Sequence, residues 1–185
     1  RRRLFRRRWR RRWRRGLVDE MNEELHYRAS VFREVMIEHL FVGELLRSLW
    51  NRGVANAEIL RSEFDAGGYD LVLSLGKITR HIQLKSKVLG GSTRSVNISL
   101  NLAAKPSGCV LWLEMTPDMN FHGYLWFGGL PGEPLPDITS FPIAKHTKAN
   151  SLGEKLKRDN LRQIPVRAFE PLKSLDEVLL RLIGG

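Results

Sequence analysis

Cysteine is almost missing from this chain: 185 residues hold one, Cys109. A lone thiol excludes an internal disulfide framework and fits a reducing compartment, so a cytoplasmic location is expected. No apolar run approaches the length needed to cross a bilayer, and no transmembrane segment is predicted. The chain also lacks a Walker loop, a dinucleotide-binding glycine pattern, paired Cys/His zinc spacing and any internal repeat, the signatures that mark nucleotide-binding, zinc and solenoid proteins. Acidic residues are absent from the first 15 positions, where 11 arginines stand. The other 20 lysines and arginines face 20 aspartates and glutamates, so the net charge of +11 belongs to that opening segment. Basicity therefore argues for a polyanionic partner of the tail alone, and nucleic-acid binding by the rest must be argued from a site.

The length and 42% hydrophobic content suit one domain with a sizeable core. The expected division is an Arg/Trp-rich tail, residues 1–20, and a single domain, residues 21–185. In the tail Phe5, Trp9 and Trp13 recur every four residues. In a helix they would form one stripe on a cationic cylinder, suited to nucleic acid or an anionic membrane surface. The simpler expectation is a disordered, self-repelling extension, or sequence upstream of a start at Met21.

Helical periodicity runs from about Glu23 to Asn51, with Val31, Val35, Val42, Leu45, Leu46 and Leu49 on one arc, Phe32 and Trp50 at its edge, and Gly53 as the stop. Glu38 falls inside that arc, whereas Glu44 lies near the opposite side beside Ile37, Leu40 and Ser48. A carboxylate among core positions needs a metal or a lysine nearby, unless it snorkels at the helix edge or pairs with an arginine.

Ala57 to Phe64 reads as a strand, Asp65-Ala-Gly-Gly as a turn, and Leu71 to Leu75 as a second strand. After Gly76-Lys77 comes Thr79-Arg-His-Ile-Gln-Leu-Lys-Ser-Lys, in which Ile82 and Leu84 take one face while His81, Gln83, Lys85 and Lys87 take the other. Folding this hairpin brings Asp70, at the start of the earlier strand, toward Gln83 and Lys85. Farther on, residues 97–106 are expected to hold a second helix, and Cys109 to Met115 and Tyr124 to Phe127 are expected strands. Gly128 to Pro136 is a loop, and a polar stretch, Ala149 to Gln163, follows Lys145-His-Thr-Lys. Ser174 and Glu177 have capping-box spacing for a helix over Leu175 to Ile183, ended by Gly184-Gly185.

Asp70 followed by Gln83-Leu84-Lys85 resembles the motif of the PD-(D/E)XK nuclease superfamily in its Q-x-K form. Gly68-Tyr69-Asp70 stands where that motif has Pro-Asp, and Gln83 replaces an acid, which removes one negative charge. The resemblance covers roughly residues 30 to 115. It implies an α/β (α+β) restriction-endonuclease-like core: a helix, three strands, a second helix and a fourth strand, with a mixed central sheet flanked by helices. It further implies hydrolysis of phosphodiester bonds in nucleic acid, DNA foremost, with Mg²⁺ (or Mn²⁺) held by Asp70, Gln83, Glu38 and the Leu84 carbonyl, and Lys85 acting on the attacking water or the transition state. Lys87, Lys145, Lys148, Lys155 and Arg158 are the cations expected to meet phosphates, against the plainer reading of a solvated basic face. His81 shares the site face as a neighbour rather than a ligand. Two other readings stand: a nuclease-like fold that binds nucleic acid or a protein without cutting, and a structural domain in which Asp70, Glu38 and Lys85 form an ion-pair cluster.

Overall fold

The structure, a computed structural model, describes residues 29–64, 66–146, 153 and 155–184. The tail, the stretch from Glu23 to residue 28 and Lys148 lie outside the described residues. Two compact units divide the chain, Arg1–Leu40 and Phe41–Gly185.

The predicted first helix is present as α1, Ser30–Asn51. Its buried stripe differs from the expected arc. Ile37, Phe41, Leu45 and Leu49 are buried, whereas Val31, Phe32, Val35, Leu46 and Trp50 are exposed. The apolar arc of this helix is wider than the surface that covers it, so periodicity marks an amphipathic helix but leaves its rotation open. The aromatic side chain of Phe41 takes the inward position and meets Phe121 edge-on, ring centroids 6.4 Å apart.

A six-stranded mixed sheet forms the centre, in the order β1 (Glu58–Arg61), β2 (Leu71–Leu75), β3 (Ile78–Val88), β5 (Gly108–Met115), β6 (Phe121–Gly128) and β9 (Glu170–Leu172). The fold is α+β. All neighbours are antiparallel except β3 and β5, which run parallel. The β2–β3 hairpin closes at Gly76-Lys77 with Leu75 opposite Ile78, and the φ of +60° at Gly76 puts glycine where a two-residue turn demands it. A parallel pair requires a long crossover. Here it carries β4 (Ser95–Ser99) and a one-turn helix, α2 (Leu100–Ala103), so the segment expected to be a second helix, residues 97–106, begins as strand and holds one helical turn.

The strand β4 opens a second sheet that the sequence reading did not foresee, ordered β4, β8 (Lys157–Pro165) and β7 (Ile143–Lys145). It covers one face of the central sheet. Val110, Trp112, Leu125 and Phe127 from the centre pack with Ile98, Ile164, Leu102 and Phe169 in one buried cluster. The last helix, α3, spans Leu175–Ile183 as predicted, with the Ser174 hydroxyl accepting from the Glu177 amide at 3.2 Å and Gly184 at its end. It packs against β6 and β9. No helix among the described residues is long and apolar enough to cross a membrane.

Candidate functional site

The register of β3 decides which way its side chains face. Gln83 pairs with Val110 and Lys85 with Trp112 in β5. Both partners belong to the core under the second sheet, so Gln83 and Lys85 point to that side. There the apolar core gives way to an open polar cleft of about 630 Å³ lined by Gln83 and Lys85 from β3, Asn97 and Ser99 from β4, Asn101 from α2, His146 after β7, and Arg158 to Leu161 of β8. The second sheet is thus half of the cleft.

Asp70 sits immediately before β2. Its amide donates to the Ile82 carbonyl at 2.9 Å and its carboxylate accepts from the Leu84 amide at 2.6 Å. Since β2 pairs no farther along β3 than Ile82, the aspartate takes over as partner of the strand. Backbone groups of residues two apart in a strand point the same way, so the Leu84 carbonyl opens toward Asp70 as its amide does. Two contacts hold the loop leading into Asp70. Asn101 Nδ2 donates to the Ala66 carbonyl at 2.8 Å, and Gly68, at φ +72°, lies so close to α2 that a Cβ there would stand 2.7 Å from Ser99 Cβ. The positive φ and this close approach require a glycine at position 68.

Gln83 is 5% exposed, and its Oε1 is buried without a hydrogen-bond partner. Such an orphan acceptor costs about 1–3 kcal/mol unless something outside the chain meets it. Lys85 is half-buried, and among the described residues no ion pair or hydrogen bond engages its ammonium. The donor chemistry here, one carboxylate, an amide oxygen and a backbone carbonyl, is hard oxygen throughout and suits a Mg²⁺ that keeps several waters. Among the described residues no three of His, Cys, Asp and Glu are grouped for a metal. Glu38 is half-buried beside Ile37 in the unit Arg1–Leu40, whereas the cleft is built from Phe41–Gly185. Glu44 is ion-paired with Arg47. Burial first, and the Glu44 charge second, push the Tyr124 hydroxyl up to about 12.

The other expected cations part ways. Arg158 lines the cleft, Lys145 and Lys155 are exposed without lining it, and Lys87 is tied to Glu114 at 2.7 Å with its ammonium 5.0 Å from the Trp112 ring centroid. Ser99, Asn97, Asn101, Asn160 and His146 carried no signal in the sequence, because isolated amides near strand ends are ordinary. Arg80 did carry one. It shares the parity of Ile82 on the inward face of β3, and it is fully buried. Its guanidinium donates to Ser107 Oγ at 2.9 Å and to the Leu130 and Gly129 carbonyls at 2.8 and 3.0 Å, and it lies 5.1 Å from the Trp126 ring centroid.

His81 meets the Tyr69 ring edge-on at 4.9 Å. Burial chiefly, and the Lys105 charge next, hold its pKa below 6.5. The unfolded chain therefore takes up a proton at higher pH than the folded one. The contribution of His81 to stability is whole above pH 6.5 and is lost as pH falls through the folded value. Melting curves between pH 7 and about 5 should fall more steeply for the wild type than for His81→Phe, which keeps the ring contact with Tyr69 and removes the titration. Equal slopes would mean that His81 is charged in the fold.

Compared with protein-family models, with curated proteins and with solved structures, the chain has no match.

Proposed function

We propose that the protein is a metal-dependent nuclease that hydrolyses phosphodiester bonds in nucleic acid, DNA foremost, on a restriction-endonuclease-like core. The order α1, β1, β2, β3, α2, β5, interrupted only by β4 between β3 and α2, supports the core. The observation that carries the function is the buried, unpartnered Gln83 Oε1 beside Lys85, unpaired among the described residues, in a polar cleft, with Asp70 clamped on the intervening Leu84 amide.

Asp70, Gln83 and the Leu84 carbonyl would hold the divalent ion, and the resemblance to the nuclease superfamily adds Glu38 as a second anion. When bound, the ion lowers the pKa of a coordinated water and offsets charge on the phosphate. Lys85 orients the attacking water and faces the charge that gathers on phosphorus. The Leu84 amide fixes the Asp70 carboxylate, so that the ligand does not depend on side-chain rotation for its position.

The test is cutting of single- and double-stranded DNA and RNA with Mg²⁺ or Mn²⁺, with EDTA as control. Lys85→Ala should lower turnover about 10²–10³-fold while Mn²⁺ affinity measured by calorimetry changes little. Gln83→Glu restores a carboxylate, and should keep activity and tighten the metal. Gln83 in place of an acidic residue favours a second reading, a nuclease-like fold that binds nucleic acid or a protein without cutting. That reading takes over if no substrate is cut and no divalent ion binds in the millimolar range.

A further inference from the structure

Arg158 reaches the cleft from the second sheet. The β7–β8 ladder is irregular here: Ala144 pairs with Arg158, and Ile143, the residue before it, pairs with Arg162. Arg158, Asp159, Asn160 and Leu161 all line the cleft that Gln83 and Lys85 line from β3. Asn160 donates to Ser99 Oγ at 3.1 Å. Lys157, opposite Lys145, is exposed and is not part of the lining. Among the described residues, neither the Arg158 guanidinium nor the Lys85 ammonium is engaged by an ion pair or a hydrogen bond. Arg158 and Lys85 are two cations on two walls of one cleft, and Asp159, which also lines it, is ion-paired with neither among the described residues, so the cations remain available to an anion that enters between them.

We infer that Arg158 is a catalytic residue that grips the non-bridging oxygens of the scissile phosphate and stabilises the charge they gain in the transition state. The inference rests on the nuclease reading proposed above. A guanidinium suits the role because its planar fork meets two phosphate oxygens at once, whereas Lys85 offers a point charge. Arg158 stays protonated throughout, so no proton passes through it. Water supplies the attacking oxygen, the bond from phosphorus to the leaving oxygen breaks, and solvent in the open cleft takes up and returns the protons.

The strand carries its own control, because Lys157 has the same charge one residue away and does not line the cleft. Single-turnover cleavage with Mn²⁺ should fall about 10²–10³-fold in Arg158→Ala. Arg158→Lys should be intermediate, and Lys157→Ala should differ little from the wild type. Mn²⁺ affinity and the melting temperature should be unchanged in all three, and added guanidinium ion should restore part of the rate of Arg158→Ala alone. Equal losses in Lys157→Ala and Arg158→Ala would overturn the inference in favour of general attraction for a polyanion. So would a rise in KM for Arg158→Ala with kcat intact. A wild type that cuts while Arg158→Ala cuts equally well sinks this inference and leaves the nuclease reading standing. A wild type that cuts nothing sinks both.

Discussion

Asp70→Ala and Asp70→Asn should both abolish metal-dependent cleavage, and only the alanine should also weaken the fold. The carboxylate has two tasks that asparagine separates. As an anion it is the metal ligand supplied by β2, and neither replacement keeps that charge. As an acceptor it satisfies the Leu84 amide at 2.6 Å, where β2 no longer pairs with β3. Asparagine retains an oxygen that can accept this bond, whereas alanine leaves a part-buried N–H without a partner at a cost of about 1–3 kcal/mol. For a chain of this length that lowers the melting temperature by roughly 2–10 °C. The measurements are cleavage with Mg²⁺ and thermal unfolding by circular dichroism. Activity surviving in Asp70→Asn would move the site elsewhere. Equal destabilisation by both variants would show that the charge itself, and not the amide bond, holds this part of the fold.

Arg80→Met should be the most destabilising single change, with a loss of about 3–5 kcal/mol. The arginine is fully buried, and its hydrogen bonds go to Ser107 and to the carbonyls of Gly129 and Leu130. Ser107 Oγ also accepts from the Gly132 amide at 3.1 Å, so one guanidinium ties the start of β5 to the loop after β6. Methionine fills comparable volume and removes every donor, which leaves carbonyls desolvated without partners. Against a total stability of roughly 5–15 kcal/mol such a loss brings much of the population near unfolding. Urea unfolding would read it as a lower midpoint with an unchanged slope. A change below about 1 kcal/mol would mean that water reaches these carbonyls once the arginine is gone. Burial pushes the neighbouring Cys109 thiol up to about 12 despite the opposing pull of Arg80, so the thiol stays protonated in the core.

Local chemistry was legible wherever a few adjacent residues settle the structure. Gly76-Lys77 turns the β2–β3 hairpin, and Ser174 caps α3. The apolar run from Cys109 to Met115 is a central strand covered on both faces. The alternation over His81 to Lys85 set Gln83 and Lys85 on one face before any fold was known, and both line one cleft. Three features were out of reach for one reason: each depends on pairing between residues distant in sequence. The polar stretch through β8 has no hydrophobic alternation, and it becomes a strand because Ser95 to Ser99 pair with it. Residues 97–106 divide between strand and helix because β4 leaves the crossover to make that pairing. The rotation of α1 follows from which of its apolar residues finds cover, and Phe41 does so against Phe121.

By itself the sequence determined the order of elements from α1 to β3, the turn and caps that bound them, the confinement of net charge to the opening segment, and the set Asp70, Gln83 and Lys85. These follow from backbone preferences and side-chain periodicity, which act over a few residues. Only the tertiary structure decided that Asp70 bonds the Leu84 amide, that Gln83 Oε1 is buried without a hydrogen-bond partner, and that β4, α2 and β8 wall the cleft with Arg158 in its lining. Burial and strand pairing are properties of two segments together, and neither segment encodes them alone.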